Sequence, residues 1–229
     1  MYGFPSIQRK EKTMIITWLG YSCFKIEIQN RDSKVSVVTD PFSAEGKVRL
    51  PRSLTAEIVT VSHDSPRHNA VSEVDGKPFV VSGPGEYEVK DVSVIGMPTF
   101  YEELDGKRSG VNTVYCLTAE NLHLVHLGDL KHLLDDADLK DLSDIDILFV
   151  PVGGGDGLDA KRAAEVVAQI EPRVVIPMNY LSGKLGEGLQ GVEPFLKAMG
   201  VSEPETVSKL KIVERDLPQE ETRVIVIEP

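Results

Sequence analysis

From Met14 to about residue 130 the chain runs in short apolar or alternating segments broken by turn residues. These are "IITW", "CFKIEI", "KVSVVT", "EIVTVS", "PFVVS", "EYEV", "VSVIG", "NTVYCLTA" and "LHLVHL". Alternation with period two and β-branched enrichment predict strands, and "GPG" at Gly83–Gly85 marks a turn between two of them. The second half changes period. Residues 158–172 and 191–200 carry helical spacing, with Asp159 placed to cap the first helix and Gly200 to stop the second. The strand-like runs "IDILFVPV", "RVVIPM", "LKIV" and "TRVIVIE" are interleaved with them. Two sheets with helices packed outside satisfy this order better than a pure sandwich. Residues 1–13 are polar and patternless, so they read as an N-terminal arm before a single domain spanning 14–229.

Composition narrows the function classes. At 229 residues with 41% apolar and 27% charged positions, the chain has the makeup of an ordinary folded domain. A net charge of −11 opposes nucleic-acid backbones and anionic membrane surfaces, so neither is expected as a partner. No segment approaches the ~20 apolar residues of a membrane span, and the opening residues lack a secretory core; a cytoplasmic location is the default expectation. Cys23 and Cys116 sit inside strand-like runs and read as small buried hydrophobes. The acidic stretch Asp135–Asp146 lacks the glycine turn and terminal glutamate of a calcium loop and reads as a solvated helix face.

The chemistry concentrates in "TVSHDSPRHNAV", Thr60–Val71, where His63 and His68 follow a strand. A zinc site needs three or four ligands at about 2.0 to 2.3 Å, so two histidines alone do not make one. His123 and His126 lie three apart on a strand and face opposite sides, and His132 reads as a surface residue. Glu86 and Glu88 share a strand face that reads as a solvent-facing edge. The glycines of Gly153–Gly157 lack the Lys-Ser/Thr of a phosphate loop and read as a turn.

The ordered series "TWLGYSCFKIE", "VTDPFS", "IVTVSHDSPRHN", "GPGEYEV", "GVNTVY", "HLGDL", "DILFVPVGG" and "IEPRVVIPMNY" resembles the metallo-β-lactamase superfamily. Within it the likeness is to the small metal-dependent hydrolases that include the ascorbate-phosphate lactonases. The resemblance implies a four-layer αββα sandwich, two mixed sheets with helices on both outer faces and a pocket at one edge. Active members bind two metals through a His-x-His-x-Asp-His loop, two later histidines and a bridging aspartate. Here His63, His68 and Asp129 match that pattern, while Ser65, Arg67, Tyr101 and Asn179 stand where other ligands are expected. Tyr21 departs from a His or Gln common at its position, and Asp40 is implied to orient the histidine loop.

Ser, Tyr and Asn are poor neutral ligands, and Arg does not give up its proton. A guanidinium about 4 Å from a divalent ion costs roughly 8 kcal/mol at an effective dielectric near 20, against about 10 to 16 kcal/mol gained by a complete structural zinc site. The expectation is a metal-free pocket in which Arg67 pairs with Asp129, and with Asp40 as a second partner, while Ser65, Tyr101 and Asn179 complete a hydrogen-bonded cluster. Such a protein has no resident cofactor, is catalytically weak or inactive, and binds a small anionic ligand. In the alternative, Arg67 swings outward and His63, His68 and Asp129 hold one zinc or manganese ion for hydrolysis of a lactone, ester or phosphoester.

Overall fold

In the computed structural model residues 13–29, 34–44, 48–104, 107–155 and 157–229 are described, without the side chains of 101–109. Strand β1 (Thr13–Gly20) shows why the alternation folds as it does. Met14, Ile16 and Trp18 point into the core, and the residues between them are half-buried. It pairs antiparallel with β2 (Cys23–Gln29), which continues antiparallel to β3 (Lys34–Thr39). The parallel strands β4 (Ile58–Thr60) and β5 (Phe79–Val81) extend the sheet on one side. Thr13, assigned to the arm by its sequence, is the first residue of β1; the rest of that arm lies outside the described residues.

The second sheet begins with the meander β6 (Gly85–Val89), β7 (Val92–Leu104), β8 (Lys107–Ala119) and β9 (Leu122–His126). It continues in parallel through β10 (Ile147–Pro151) and β11 (Val174–Met178). β12 (Glu205–Val207), β13 (Leu210–Ile212) and β14 (Arg223–Ile227) complete the set, with β13 crossing to the first sheet beside β1. The result is a six-stranded sheet facing an eight-stranded one, both mixed. β10 and β11 are buried at every position, which is why they read as continuous apolar runs rather than alternating ones.

Helix α1 is a single turn (Asp136–Leu139), α2 spans Ala160–Ile170, and α3 spans Glu193–Ala198. Asp159 caps α2 by accepting the Arg162 amide, and Ala163, Val166, Val167 and Ile170 form its buried stripe. The start of the acidic run becomes α1 because Asp135 and Asp138 form a reciprocal capping box; Asp136, Asp141 and Asp144 are exposed, while Asp146 is buried, accepting the His123 amide and facing Arg173. Gln169 of α2 clamps the Leu134 backbone with both amide atoms, tying the approach to α1 onto α2.

The outer face of the six-stranded sheet also carries a covering of loop. Among the described residues its cover is the loop after β3 and a 3-10 turn at Val71–Glu73. Phe42, Leu50, Leu54 and Val74 drop from these segments onto Cys23, Val38 and Val59. Pro41 and Pro51 punctuate that loop, and prolines at this spacing oppose a continuous helix. Between the sheets, Trp18, Phe24, Phe149 and Tyr115 are fully buried. The Tyr115 hydroxyl lies 2.8 Å from the Val61 carbonyl, fastening β8 beneath the loop that carries both histidines.

Candidate functional site

The ends of β3, β4, β9 and β11 and the turn between β1 and β2 converge at one edge of the sandwich. Asp40 follows β3 with φ +40, a left-handed conformation that its short polar side chain tolerates. Its carboxylate is fully buried and accepts three hydrogen bonds. The Ser62 amide reaches Oδ1 at 2.7 Å, and the Ser62 hydroxyl and His68 Nδ1 reach Oδ2 at 2.6 and 2.9 Å. Burial pushes the Asp40 carboxyl up, but the bond from His68, the positive field of the nearby histidines and the Ser62 hydroxyl together hold it below its ordinary 3.8.

Because the Ser62 hydroxyl donates to Asp40, its oxygen accepts from His63 Nδ1, 3.0 Å away. Asp40 therefore orients His68 directly and His63 through Ser62, and both rings carry their proton on Nδ1. The rings lie with centroids 4.1 Å apart. Burial and the neighbouring His68 bring His63 down to about 4, against the smaller opposing pull of Asp40 and Asp129. His63 is neutral near pH 7, with Nε2 its acceptor nitrogen.

These shifts predict acid lability. The unfolded chain binds a proton at the ordinary histidine value of 6.5 that folded His63 refuses until about 4, so stability is lost as pH falls across that window. Asp40, lowered in the folded state, contributes stability that is present above 3.8 and is lost as pH falls through its lower folded value. Urea midpoints measured near pH 7.5, about 5.5 and about 4.5 are expected to fall in that order, with His63→Gln removing part of the slope. Equal midpoints across the series would contradict this.

The opposite wall is built around Asp129. Its amide donates to Asn112 Oδ1 at 2.9 Å, while the Asn112 side chain donates to Thr99 Oγ1 and the Leu127 carbonyl. Gly128 allows this approach: its φ is +61, and a Cβ there would stand 2.6 Å from Ser62 Cβ. Asn179, with φ +53, donates its backbone amide to the Tyr21 carbonyl at 2.9 Å and directs Nδ2 toward Asp129 Oδ1 at 3.4 Å. Gly153 packs where any Cβ would strike the Asn179 carbonyl. The Lys131 ammonium lies 4.0 Å from Asp129 Oδ2.

The arrangement corrects the expected Arg67 pairings. Asp40 is engaged by Ser62 and His68, and among the described residues the side-chain partners of Asp129 are Asn179 and Lys131. The Arg67 guanidinium lies over the Tyr21 ring, 5.2 Å from its centroid, a cation–π arrangement that a planar delocalised ion favours. Tyr21 is itself braced edge-on by Phe42. Ser65 acts through its backbone rather than in a side-chain cluster, its carbonyl accepting the His68 and Asn69 amides. Tyr101 lies on β7, and its side chain is outside the described residues.

Four contributors were not anticipated: Ser62, Asn112, His126 and Lys131. Ser62 adjoins His63 and Lys131 lies two residues past Asp129, so proximity in sequence was the available signal. His126 carried none. It is buried beneath the site, donating from Nε2 to the Ser22 carbonyl and accepting the Gly128 amide at Nδ1, and burial lowers its pKa. The remaining candidates stay outside. His123 contacts Thr118 and His132 the Leu133 carbonyl at exposed positions, and Glu86 and Glu88 are exposed on edge strand β6. Residues 153–157 form a turn, and burial raises both thiols, Cys116 to about 12.

Among the described residues no three His, Cys, Asp or Glu side chains come together in a group able to hold a metal ion. Two imidazoles stand on one side, and the carboxylate opposite them faces an amide and an ammonium.

A model of the beta-lactamase superfamily domain matches residues 15–179. A UPF0173 metal-dependent hydrolase from Pyrococcus horikoshii is 30% identical over 193 residues, covering 72% of this chain and 84% of its own. The corresponding Thermococcus onnurineus protein is 25% identical over 192 residues, with the same two coverages of 72% and 84%. A crystal structure from Thermotoga maritima, described as belonging to the metallo-beta-lactamase superfamily, superposes with a TM-score of 0.76 at 35% identity. It spans 93% of this chain and 98% of its own. No helix among the described residues is long and apolar enough to cross a membrane.

Proposed function

The chain belongs to the beta-lactamase superfamily and its UPF0173 metal-dependent hydrolases, and from that premise we propose a member whose pocket has exchanged inorganic ions for protein cations. It works without a resident metal, hydrolyses little or nothing by the ancestral route, and binds a small phosphate- or carboxylate-bearing ligand. Its descent on this reading is from the ascorbate-phosphate lactonase type. The observation that carries the proposal is the surroundings of Asp129, the carboxylate that bridges metals in the family pattern. Asn179 directs an amide N–H at one oxygen and Lys131 places an ammonium 4.0 Å from the other, so protein groups meet charge that bridged ions would otherwise meet. Arg67 replaces a further carboxylate and adds positive charge to the rim. Nucleic acid is disfavoured by the net charge of −11.

One observation favours a second reading. Asp40 still holds the histidine loop through Nδ1, the arrangement by which proteins aim imidazole Nε2 atoms at a metal. On that reading one zinc or manganese ion on His63, His68 and Asp129 supplies an activated water for hydrolysis of a lactone, ester or phosphoester.

Elemental analysis of protein purified without chelators or added zinc separates the two. The proposal expects well below one transition-metal ion per chain after dialysis, and a melting temperature that EDTA leaves unchanged. One retained ion per chain, with a melting temperature lowered by EDTA, would establish the second reading instead.

A further inference from the structure

The turn between β1 and β2 offers two successive carbonyls to the second sheet. The Tyr21 carbonyl accepts the Asn179 amide just past β11, and the Ser22 carbonyl accepts His126 Nε2 at the end of β9, both at 2.9 Å. Thr39 also donates to the Ser22 carbonyl, but from within the first sheet, so it is His126 that ties this carbonyl across the core. The other ring nitrogen serves the opposite wall. His126 Nδ1 accepts the Gly128 amide at 3.2 Å, and the next amide, that of Asp129, donates to Asn112 Oδ1 at 2.9 Å. A carbonyl only accepts and an amide N–H only donates, so the two partners fix the ring proton on Nε2. The ring is fully buried, flanked by Phe24 and Phe149 with centroids 6.4 and 5.9 Å away.

We infer that His126 is a positioning residue of the pocket: one rigid ring, bonded at Nε2 to the Tyr21–Ser22 turn and at Nδ1 to the Gly128–Asp129 turn, sets where the two turns stand relative to each other. No torsion separates the two nitrogens of an imidazole, so neither turn shifts alone while both bonds hold. The effect reaches further than the atoms His126 touches. Moving Ser22 moves Tyr21, whose carbonyl holds the Asn179 amide and whose ring lies under Arg67. Moving Gly128 moves Asp129. The inference goes beyond both readings of what the pocket holds, because an anion and a metal ion alike are gripped between these turns.

The test is amide hydrogen exchange of the full chain read by NMR at Gly128, Asn179 and, as a reference for overall stability, Ile176 inside β11. His126→Phe, which suits a site flanked by two phenylalanines, is expected to accelerate Gly128 about 10-fold, the worth of one hydrogen bond. Asn179, which His126 does not touch, is expected to accelerate about 3- to 10-fold over and above any change at Ile176. His126→Gln places an amide nitrogen at the ε position and is expected to return Asn179 to within about threefold of the parent. His126→Asn reaches only the δ position and is expected to restore Gly128 alone. The imidazole nitrogen spectrum of the parent is expected to show His126 protonated at Nε2. If Asn179 changes no more than Ile176 in His126→Phe, the residue contributes only to general stability and the inference is overturned. Recovery of Asn179 in His126→Asn, its failure to recover in His126→Gln, or a parent ring protonated at Nδ1 would overturn it equally.

Discussion

Asp40→Asn is expected to destabilise the folded chain by about 3 to 5 kcal/mol, the cost of removing one member of a buried charge-assisted pair. Read thermally, that is a fall of about 6 to 20 °C for a chain of this size. The substitution isolates the charge. Asparagine accepts the left-handed φ of +40 as readily as aspartate, and its volume is nearly the same. The hydrogen bonding does not survive, because Oδ2 receives both the Ser62 hydroxyl and His68 Nδ1, and an amide nitrogen in its place meets two donors. The structure relaxes most cheaply if His68 moves its proton to Nε2. Two measurements therefore check the expectation: the urea midpoint, and the imidazole nitrogen spectrum reporting the His68 tautomer. A loss below about 1 kcal/mol with the tautomer unchanged would show that Asp40 is not the hub of the site.

Reconstruction of the ligand set has the second large expected effect. The combined variant Ser65→His, Arg67→Asp and Asn179→His is expected to retain about one zinc ion per chain through dialysis, since it raises the donor set past the minimum of three or four ligands. With zinc at about 100 times its dissociation constant, the gain is about 2.7 kcal/mol, which corresponds to a rise of about 5 to 10 °C in melting temperature. EDTA is expected to abolish that rise. Arg67→Asp alone is expected to do much less. The guanidinium already rests on the Tyr21 ring, so on the proposed reading shortage of donors, more than repulsion by Arg67, governs metal affinity. If the combined variant takes up no more zinc than its parent, missing ligands are not what limits metal binding in the pocket.

Much of the scaffold was legible because local patterns and burial coincide. The alternation of "MIITWLG" became β1 with its apolar residues on the core side, the uninterrupted "ILFVP" became a strand buried on both faces, and Asp159 capped the helix it was expected to cap. The start of the acidic stretch behaved as a solvated turn of helix because its capping box is local, whereas Asp146 at its end is buried against the His123 amide and Arg173. The loop packed on the six-stranded sheet was not legible. A loop held by scattered residues such as Phe42, Leu50 and Leu54 has no period to detect.

For the site, the amino-acid sequence by itself determined which chemical groups are available: two histidines five residues apart, one aspartate after "HLG", and Ser, Arg and Asn where metal donors were expected. Only the tertiary structure decided who pairs with whom. Asp40 and His68 are 28 residues apart, and Asn179 and Asp129 are 50 apart. The choice between Arg67 and Lys131 as the neighbour of Asp129 turned on a stacking surface supplied by Tyr21. Charge attraction at this range is nearly indifferent to which cation supplies it. The competition is settled by geometry, by where a long side chain finds a flat ring to lie on, and that exists only once the strand ends have been brought together.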